Sequence, residues 1–134
     1  ILKKFLQLFP FSLKDEKILL NRANASGFED RKITIFDVTL EKEKHTNLFL
    51  DNLIKNLDEV QKKLILEQME SRLDNNLDFF LRFDKSEYME NNKLKLTDSG
   101  NCFHIMISVA AFPRKREIAL MIVKGIFESA DSKI

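Results

Sequence analysis

The chain has 134 residues, which suits one domain with a single hydrophobic core. Its 22 lysines and arginines nearly balance its 21 aspartates and glutamates, which argues against a protein that binds nucleic acid over its whole surface, so any such site must be a local patch. The one cysteine, Cys102, cannot form an internal disulfide and indicates a reducing, cytoplasmic compartment.

The first third of the chain predicts one helix and two strands. Apolar residues at helical spacing predict a helix over Ile1–Leu8, and Pro10 ends it. Strands are predicted over Lys17–Ala25 and Ile33–Leu40, the second because it is rich in β-branched and aromatic residues. Gly27, between the two strands, supplies a turn or a bulge.

The apolar period then changes to that of a helix. A stripe of apolar residues predicts a helix over Lys44–Leu57, and Asp58 with Gln61 forms a capping pattern for a second helix that runs to about Leu73. The predicted buried residues of the second helix are Val60, Leu64, Ile65, Met69 and Leu73.

The last part of the chain predicts three strands and a helix. The strands cover Leu77–Lys85, Lys93–Thr97 and Cys102–Ala110, with a turn over Asp98–Asn101. Pro113 is placed at the first position of the last helix, where its missing N–H costs nothing. The buried face of that helix is expected to hold Ile118, Ala119, Ile122, Val123, Ile126 and Phe127.

The element order predicts a single α+β domain over residues 1–134. Short strands joined by turns favour an antiparallel sheet of about five strands, and one strongly apolar side per strand favours helices packed on one face of that sheet.

Strand alternation leaves a second sheet face with a mixed composition. Phe80 and Arg82 share one side of their strand, and His104, Met106 and Ser108 share the corresponding side of the last strand, with Lys93 and Lys95 as further candidates. Aromatic and basic groups on a sheet face are typical of single-stranded RNA binding. An aromatic and methionine mixture equally fits a homodimer interface, so both interpretations stay open.

The chain carries little that indicates catalysis or a cofactor. Its three scattered glycines cannot form a phosphate loop, and His45, Cys102 and His104 are too few for a structural zinc site. The acidic residues Asp78, Asp84, Glu87 and Glu90 allow a metal-dependent nuclease, but ion pairing with Arg82 and Lys85 explains them as well. No apolar run approaches the ~18 residues of a membrane-spanning helix, so no membrane partner is expected.

Two further basic spots stand out. The triplet Arg114-Lys115-Arg116 is placed at the start of the last helix, where free amides favour anions, although a solvated cluster paired with Glu117 is the simpler interpretation. Arg31-Lys32 follows Gly27 and is explained as a charged hairpin tip.

The motif Leu81–Lys85, followed by Lys93–Thr97 and Ile105–Ile107, resembles a family of archaeal RNA-binding proteins described as an accessory subunit of the exosome. The resemblance covers about residues 1–128. It implies a fold like the ribosomal large-subunit protein that holds the five-S RNA, with a strand before the first helix, and the sequence from Ile1 is expected to begin inside that helix. Ser86 and the Glu29-Asp30 pair depart from the family pattern, which often has a glutamine and a second glycine at these points.

Together, the sheet face and the resemblance predict a non-catalytic RNA-binding protein, with exosome subunits as further partners. Arg82 and Lys85 are assigned to phosphates, Phe80 and His104 to base stacking, and the basic triplet to an extension of the track. The full predicted RNA-binding set is Phe80, Arg82, Lys85, Lys93, His104, Arg114, Lys115 and Arg116.

Overall fold

The computed structural model describes residues 2–26 and 32–128. The elements of these residues, in chain order, are α1 (Leu2–Leu6), β1 (Leu20–Ser26), β2 (Lys32–Leu40), α2 (Glu43–Asn56), α3 (Glu59–Glu67), β3 (Asp78–Asp84), α4 (Lys85–Asn91), β4 (Cys102–Ser108) and α5 (Arg116–Glu128). The α+β class is confirmed. Gly27 and Arg31, to which a turn and a hairpin tip were assigned, lie outside the described residues.

The strands form a mixed, four-stranded sheet in the order β1-β2-β4-β3. β1 pairs antiparallel with β2, and β3 pairs antiparallel with β4, but β2 and β4 are parallel. The prediction of about five antiparallel strands is therefore wrong for the described part of the chain. The chain passes through α2, α3, β3 and α4 before β4 enters between β2 and β3, and a long connection of this kind allows β2 and β4 to lie parallel.

The predicted strand Lys93–Thr97 is instead a short extended segment on the outer edge of β3. Leu96 forms a single bridge with Phe83, and the Asp84 amide donates to the Lys95 carbonyl at 2.8 Å. Nearer the start of β3, the Phe80 amide donates to the Arg72 carbonyl at 2.8 Å. These two segments cover an edge that would otherwise expose unpaired backbone groups.

The core lies between one face of the sheet and the helices. Phe5 of α1 stacks on Phe103 of β4 with ring centroids 4.8 Å apart, and Tyr88 of α4 meets the same Phe103 edge-on at 5.8 Å. Phe5 and Phe103 are completely buried. The strands contribute Phe36, Val38, Leu40, Phe79, Leu81, Phe83, Phe103, Ile105 and Ile107 to this core, and the longer helices contribute Phe49, Leu53, Ile65, Ala119, Val123 and Phe127.

Some predicted boundaries hold and others are corrected. The capping role of Asp58 is confirmed, because its Oδ1 accepts the Gln61 amide at 2.8 Å. The strand predicted from Lys17 begins at Leu20, since Lys17 has a left-handed φ of 58°. The helix predicted to reach Leu73 ends at Glu67, and Val60, predicted to be buried, is 65% exposed.

The two helices that follow β3 and β4 also differ from expectation. α4 was not predicted, although Asp84 caps it by accepting the Glu87 amide at 2.9 Å. The prediction that Pro113 opens the last helix is wrong, because α5 begins at Arg116 and Pro113 lies in the preceding loop.

We expect Phe103→Ala to lower the free energy of unfolding by about 3–5 kcal/mol, because it removes the ring on which α1 and α4 pack. Phe112→Ala is the matched control: Phe112 is 88% exposed, so its truncation should change stability by no more than about 0.5 kcal/mol. Denaturant unfolding followed by circular dichroism measures both, and equal midpoints would contradict the assignment of the core.

We expect Asp84→Ala to cost about 1 kcal/mol of stability, because the first turn of α4 then loses the acceptor for the Glu87 amide. Asp84→Asn keeps an oxygen at the same position and should retain most of that stability. If both variants lose the same amount in denaturant unfolding, the cap is not what stabilises the start of this helix.

Candidate functional site

The sheet face turned away from the helices is the candidate site. Along β3, and along β4 from Phe103 onward, buried core residues alternate with half-buried or exposed ones, as the sequence predicts. We call this side the open face; it is formed by Ile35, Asp37 and Thr39 of β2, by Asp78, Phe80, Arg82 and Asp84 of β3, and by Cys102, His104, Met106 and Ser108 of β4.

An aromatic pair occupies the centre of the open face. The rings of Phe80 and His104 are stacked with centroids 5.3 Å apart and only 3° between their planes. Strand pairing sets Arg82 directly opposite His104, and Arg82 is exposed. A flat pair of rings beside an exposed guanidinium has the composition of a stacking surface for nucleic-acid bases.

The hydrogen bonding of His104 is incomplete. Its Nδ1 lies 3.4 Å from Oδ1 of Asp37, which is an electrostatic contact rather than a well-formed hydrogen bond. Its Nε2 is buried and has no hydrogen-bond partner among the described residues. A buried polar atom without a partner costs about 1–3 kcal/mol, so a ligand group that reached this nitrogen would recover that energy.

The charge on the open face does not favour phosphate over most of its area. Arg82 shares this side of the sheet with three carboxylates, those of Asp37 on β2 and of Asp78 and Asp84 at the two ends of β3. Two of these carboxylates have local partners: Asp78 accepts the Ser108 hydroxyl at 2.9 Å, and Asp84 caps α4. The three carboxylates outnumber the one arginine of the open face, so a polyanion is attracted only where Arg82 is exposed, at the β3 edge of the sheet.

Cations extend along that margin. Lys93 and Lys95 are exposed, and their segment pairs with the end of β3, where the Thr97 amide donates to the Arg82 carbonyl at 3.0 Å. We call Arg82, Lys93 and Lys95 the β3-edge cations. Arg72 lies close by but is buried; burial lowers the pKa of its guanidinium, Asp98 opposes that shift, and Arg82 adds to it.

Lys85 occupies a different environment from the one predicted for it. As the first residue of α4, it is only 8% exposed, and its Nζ lies 5.6 Å from the ring centroid of Phe36, a core residue. Burial lowers the pKa of its ammonium, and the Cys102 thiol partly offsets that shift. The structure therefore does not bring Lys85 together with Arg82 on the open face.

The two arginines of the basic triplet bond to backbone carbonyls, whereas its lysine is exposed. Only Arg116 lies within α5; it donates to the Leu73 carbonyl at 2.9 Å, and Arg114 donates to the Asn76 carbonyl at 3.1 Å. These bonds join the first residue of α5 and the loop before it to the segment before β3. Lys115 is exposed, and so is Phe112 in the same loop.

The acidic residues do not converge on a metal site. Asp78 and Asp84 lie at opposite ends of β3, about 20 Å apart at the usual rise of a strand. Within residues 2–26 and 32–128, no three histidine, cysteine or acidic side chains are grouped as metal ligands. The helices of the same residues include none that is long and apolar enough to cross a membrane.

Sequence reasoning missed several members of the site. Asp37 joins it only because β2 pairs with β4, a register that no local pattern reveals. Cys102 is a buried part of the same face, and burial raises the pKa of its thiol. The exposure of Phe112 also escaped notice, although its position beside a proline and a basic triplet was a visible signal.

Solved structures share this fold. A DUF54 protein from Archaeglobus fulgidus superimposes with a TM-score of 0.64 at 23% identity, over 93% of this chain and 83% of that one. A DUF54 protein from Sulfolobus solfataricus gives a TM-score of 0.61 at 20% identity, over 100% of this chain and 90% of that one. At these identities the likeness establishes the fold alone.

Sequence comparisons point to the same group of proteins. The RNA-binding protein PAB1135 of Pyrococcus abyssi is 26% identical over 132 residues, which are 98% of this chain and 84% of that protein. The model of the family described as RNA binding matches residues 1–110. Since this match covers most of the chain, the protein belongs to the RNA-binding family.

Proposed function

We propose that this protein is a non-catalytic RNA-binding protein of the cytoplasm that holds single-stranded RNA across the open face. The observation that carries the proposal is the stacked Phe80–His104 pair beside exposed Arg82, on a side of the sheet that the helices leave uncovered. RNA bases stack on the aromatic pair, while the sugar–phosphate chain follows the β3-edge cations.

The distribution of charge supports this division. Asp37 repels phosphates from the aromatic pair and Asp78 and Asp84 repel them at the two ends of β3, whereas uncharged bases meet no such penalty. Arg82, Lys93 and Lys95 lie at the margin, where phosphates can approach them from solvent. Because few cations take part, we expect weak binding with a shallow dependence on salt.

The loop before α5 extends this track at the other end of β3. Lys115 is exposed, and Arg114 and Arg116 are held near the turn before β3 by their bonds to backbone carbonyls. In this proposal Lys115 and Arg114 add phosphate contacts for a longer RNA. Lys85 supports the site from within the core rather than through contact with RNA.

A role in RNA processing or exosome-linked degradation is the wider part of the proposal. This role is supported by the motif over Leu81–Lys85, which resembles that of the exosome-associated family. The same resemblance supports a fold like that of the ribosomal protein that binds five-S RNA. A pull-down with purified archaeal exosome core tests this role, and a protein that binds RNA but not the core would leave only the RNA-binding part standing.

A homodimer through the open face is the alternative function. Its support is the half-buried apolar surface of Phe80 and Met106, together with Leu19, which is 73% exposed just before β1. A second copy would cover these groups without any contact to RNA. Light scattering discriminates the two: a monomer at high concentration contradicts the dimer.

We expect Arg82→Gln to weaken binding of a labelled single-stranded oligoribonucleotide and to reduce the slope of log K against log salt by about 0.7, since one phosphate contact is lost.

Phe80→Leu should cost about 1–3 kcal/mol of binding free energy with little change in that slope, since it removes stacking. Fluorescence anisotropy at several salt concentrations measures both effects.

Lys63→Gln provides the matched control, because Lys63 is an exposed cation of α3, on the helix side of the sheet. It should leave affinity and slope unchanged. Equal losses in Arg82→Gln and Lys63→Gln would show general electrostatics rather than a site on the open face, and wild-type protein that fails to bind at low salt would end the proposal.

A further inference from the structure

A polar cavity lies on the helix side of the sheet, between α1, α2 and α4. Its volume is about 260 Å³. The walls carry four carboxamides, an ammonium and a phenol, and leucine side chains complete the lining, which contains no carboxylate. The polar lining residues are Lys4, Gln7, Asn52, Asn56, Tyr88 and Asn92.

The chemistry of these walls suits a nucleobase. Each carboxamide offers donors and an acceptor side by side, and this arrangement is complementary to the donors and acceptors on the edge of a base. The leucines provide apolar surface for the faces of a flat ring, and without a carboxylate in the lining the cavity tolerates an attached phosphate. A volume just below the ~300–1,000 Å³ of drug-sized sites fits one base with its sugar rather than a larger molecule.

Part of the hydrogen-bonding capacity of the cavity is unused. Asn52 donates to the Leu8 carbonyl at 3.3 Å, Asn56 donates to the Asn52 carbonyl at 2.7 Å, and the Lys4 ammonium contacts Oδ1 of Asn92. Within the described part of the chain, neither the Tyr88 hydroxyl nor the Gln7 carboxamide has a hydrogen-bond partner. These groups can therefore bond to a ligand without breaking a bond of the fold.

The cavity adjoins the β3-edge cations. Asn92 and Leu94 line it, while Lys93 and Lys95, which alternate with them, are exposed. A strand of RNA whose phosphates contact Lys93 and Lys95 therefore runs past the cavity, with a base in reach of the carboxamides. A free nucleotide would present the same base and the same phosphate to the same groups.

We propose that this cavity binds a single nucleobase, read by Gln7, Tyr88 and the neighbouring asparagines. The inference extends the proposed function, because it adds a base-reading site next to the phosphate track, but it concerns residues on the opposite side of the sheet from Phe80 and His104. Failure of one therefore does not entail failure of the other.

The test follows the side-chain amide signals of ¹⁵N-labelled protein by NMR during titration with adenosine and cytidine 5′-monophosphates, and separately with a short single-stranded oligoribonucleotide. We expect saturable shifts of the Gln7, Asn52, Asn56 and Asn92 signals. Tyr88→Phe keeps the ring that packs on Phe103 and removes only the hydroxyl, so it should weaken binding by about 3- to 10-fold.

Gln7→Glu adds a carboxylate to the cavity and should weaken binding at least as much as Tyr88→Phe. Asn47→Asp makes the same charge change at an exposed position of α2 that does not line the cavity, so it should bind like the wild type. Shifts with the oligoribonucleotide alone identify an RNA base as the ligand, and shifts with a mononucleotide identify a free nucleotide as well.

If neither probe moves these signals in the wild type, or if Gln7→Glu and Tyr88→Phe bind as the wild type does, the proposal is overturned. An oligoribonucleotide that shifts only residues of the open face would overturn the cavity while supporting the proposed function. A protein that binds a mononucleotide in the cavity but binds no RNA would support the cavity and overturn the proposed function.

Discussion

The stacking of Phe5 on Phe103 is the contact on which the arrangement of layers depends. Phe103 lies on β4, the strand that enters between β2 and β3, and both rings are completely buried. Tyr88 meets Phe103 edge-on, so one side chain holds both short helices, α1 and α4. Such helices have too few residues to be stable alone, and their order comes from this packing. Since the helices are held on this side, the other side of the sheet stays uncovered.

Element type could be predicted from the sequence wherever a period was sustained. The apolar stripe of α2 and the alternation of β3 and β4 needed only local spacing, and the Asp58 cap needed only the residues that follow it. Sheet topology could not be predicted in this way, because the parallel pairing of β2 with β4 joins residues far apart in the chain. Short elements were predicted wrongly because they too depend on contacts with the rest of the fold. The helix α4 depends on one cap, and Leu94 and Leu96 alternate like a strand but pair only briefly with β3.

The candidate site shows the same division between local and distant information. That Phe80, Arg82 and His104 share a face follows from alternation, and the structure brings them together. Alternation could not reveal that Asp37 faces His104, nor that Lys85 turns toward Phe36 at the point where β3 becomes a helix. The basic triplet was placed one turn too far into the helix because Pro113 fits a helix start, whereas Arg114 and Arg116 bond to the turn before β3. These differences reduce the predicted track of RNA-binding cations to a narrow strip of positive charge along the edge of β3.

Cys102 gives the fold a built-in reporter of its own opening. The thiol is buried on the central strand β4, and burial raises its pKa, so little of it is in the reactive thiolate form at neutral pH while the sheet is intact. A thiol reagent reaches it only when the groups that bury it on the open face move aside, because Cys102 is 3% exposed. The rate of labelling therefore reports how often this opening occurs, at a position two residues from His104 on the same strand, without any engineered probe.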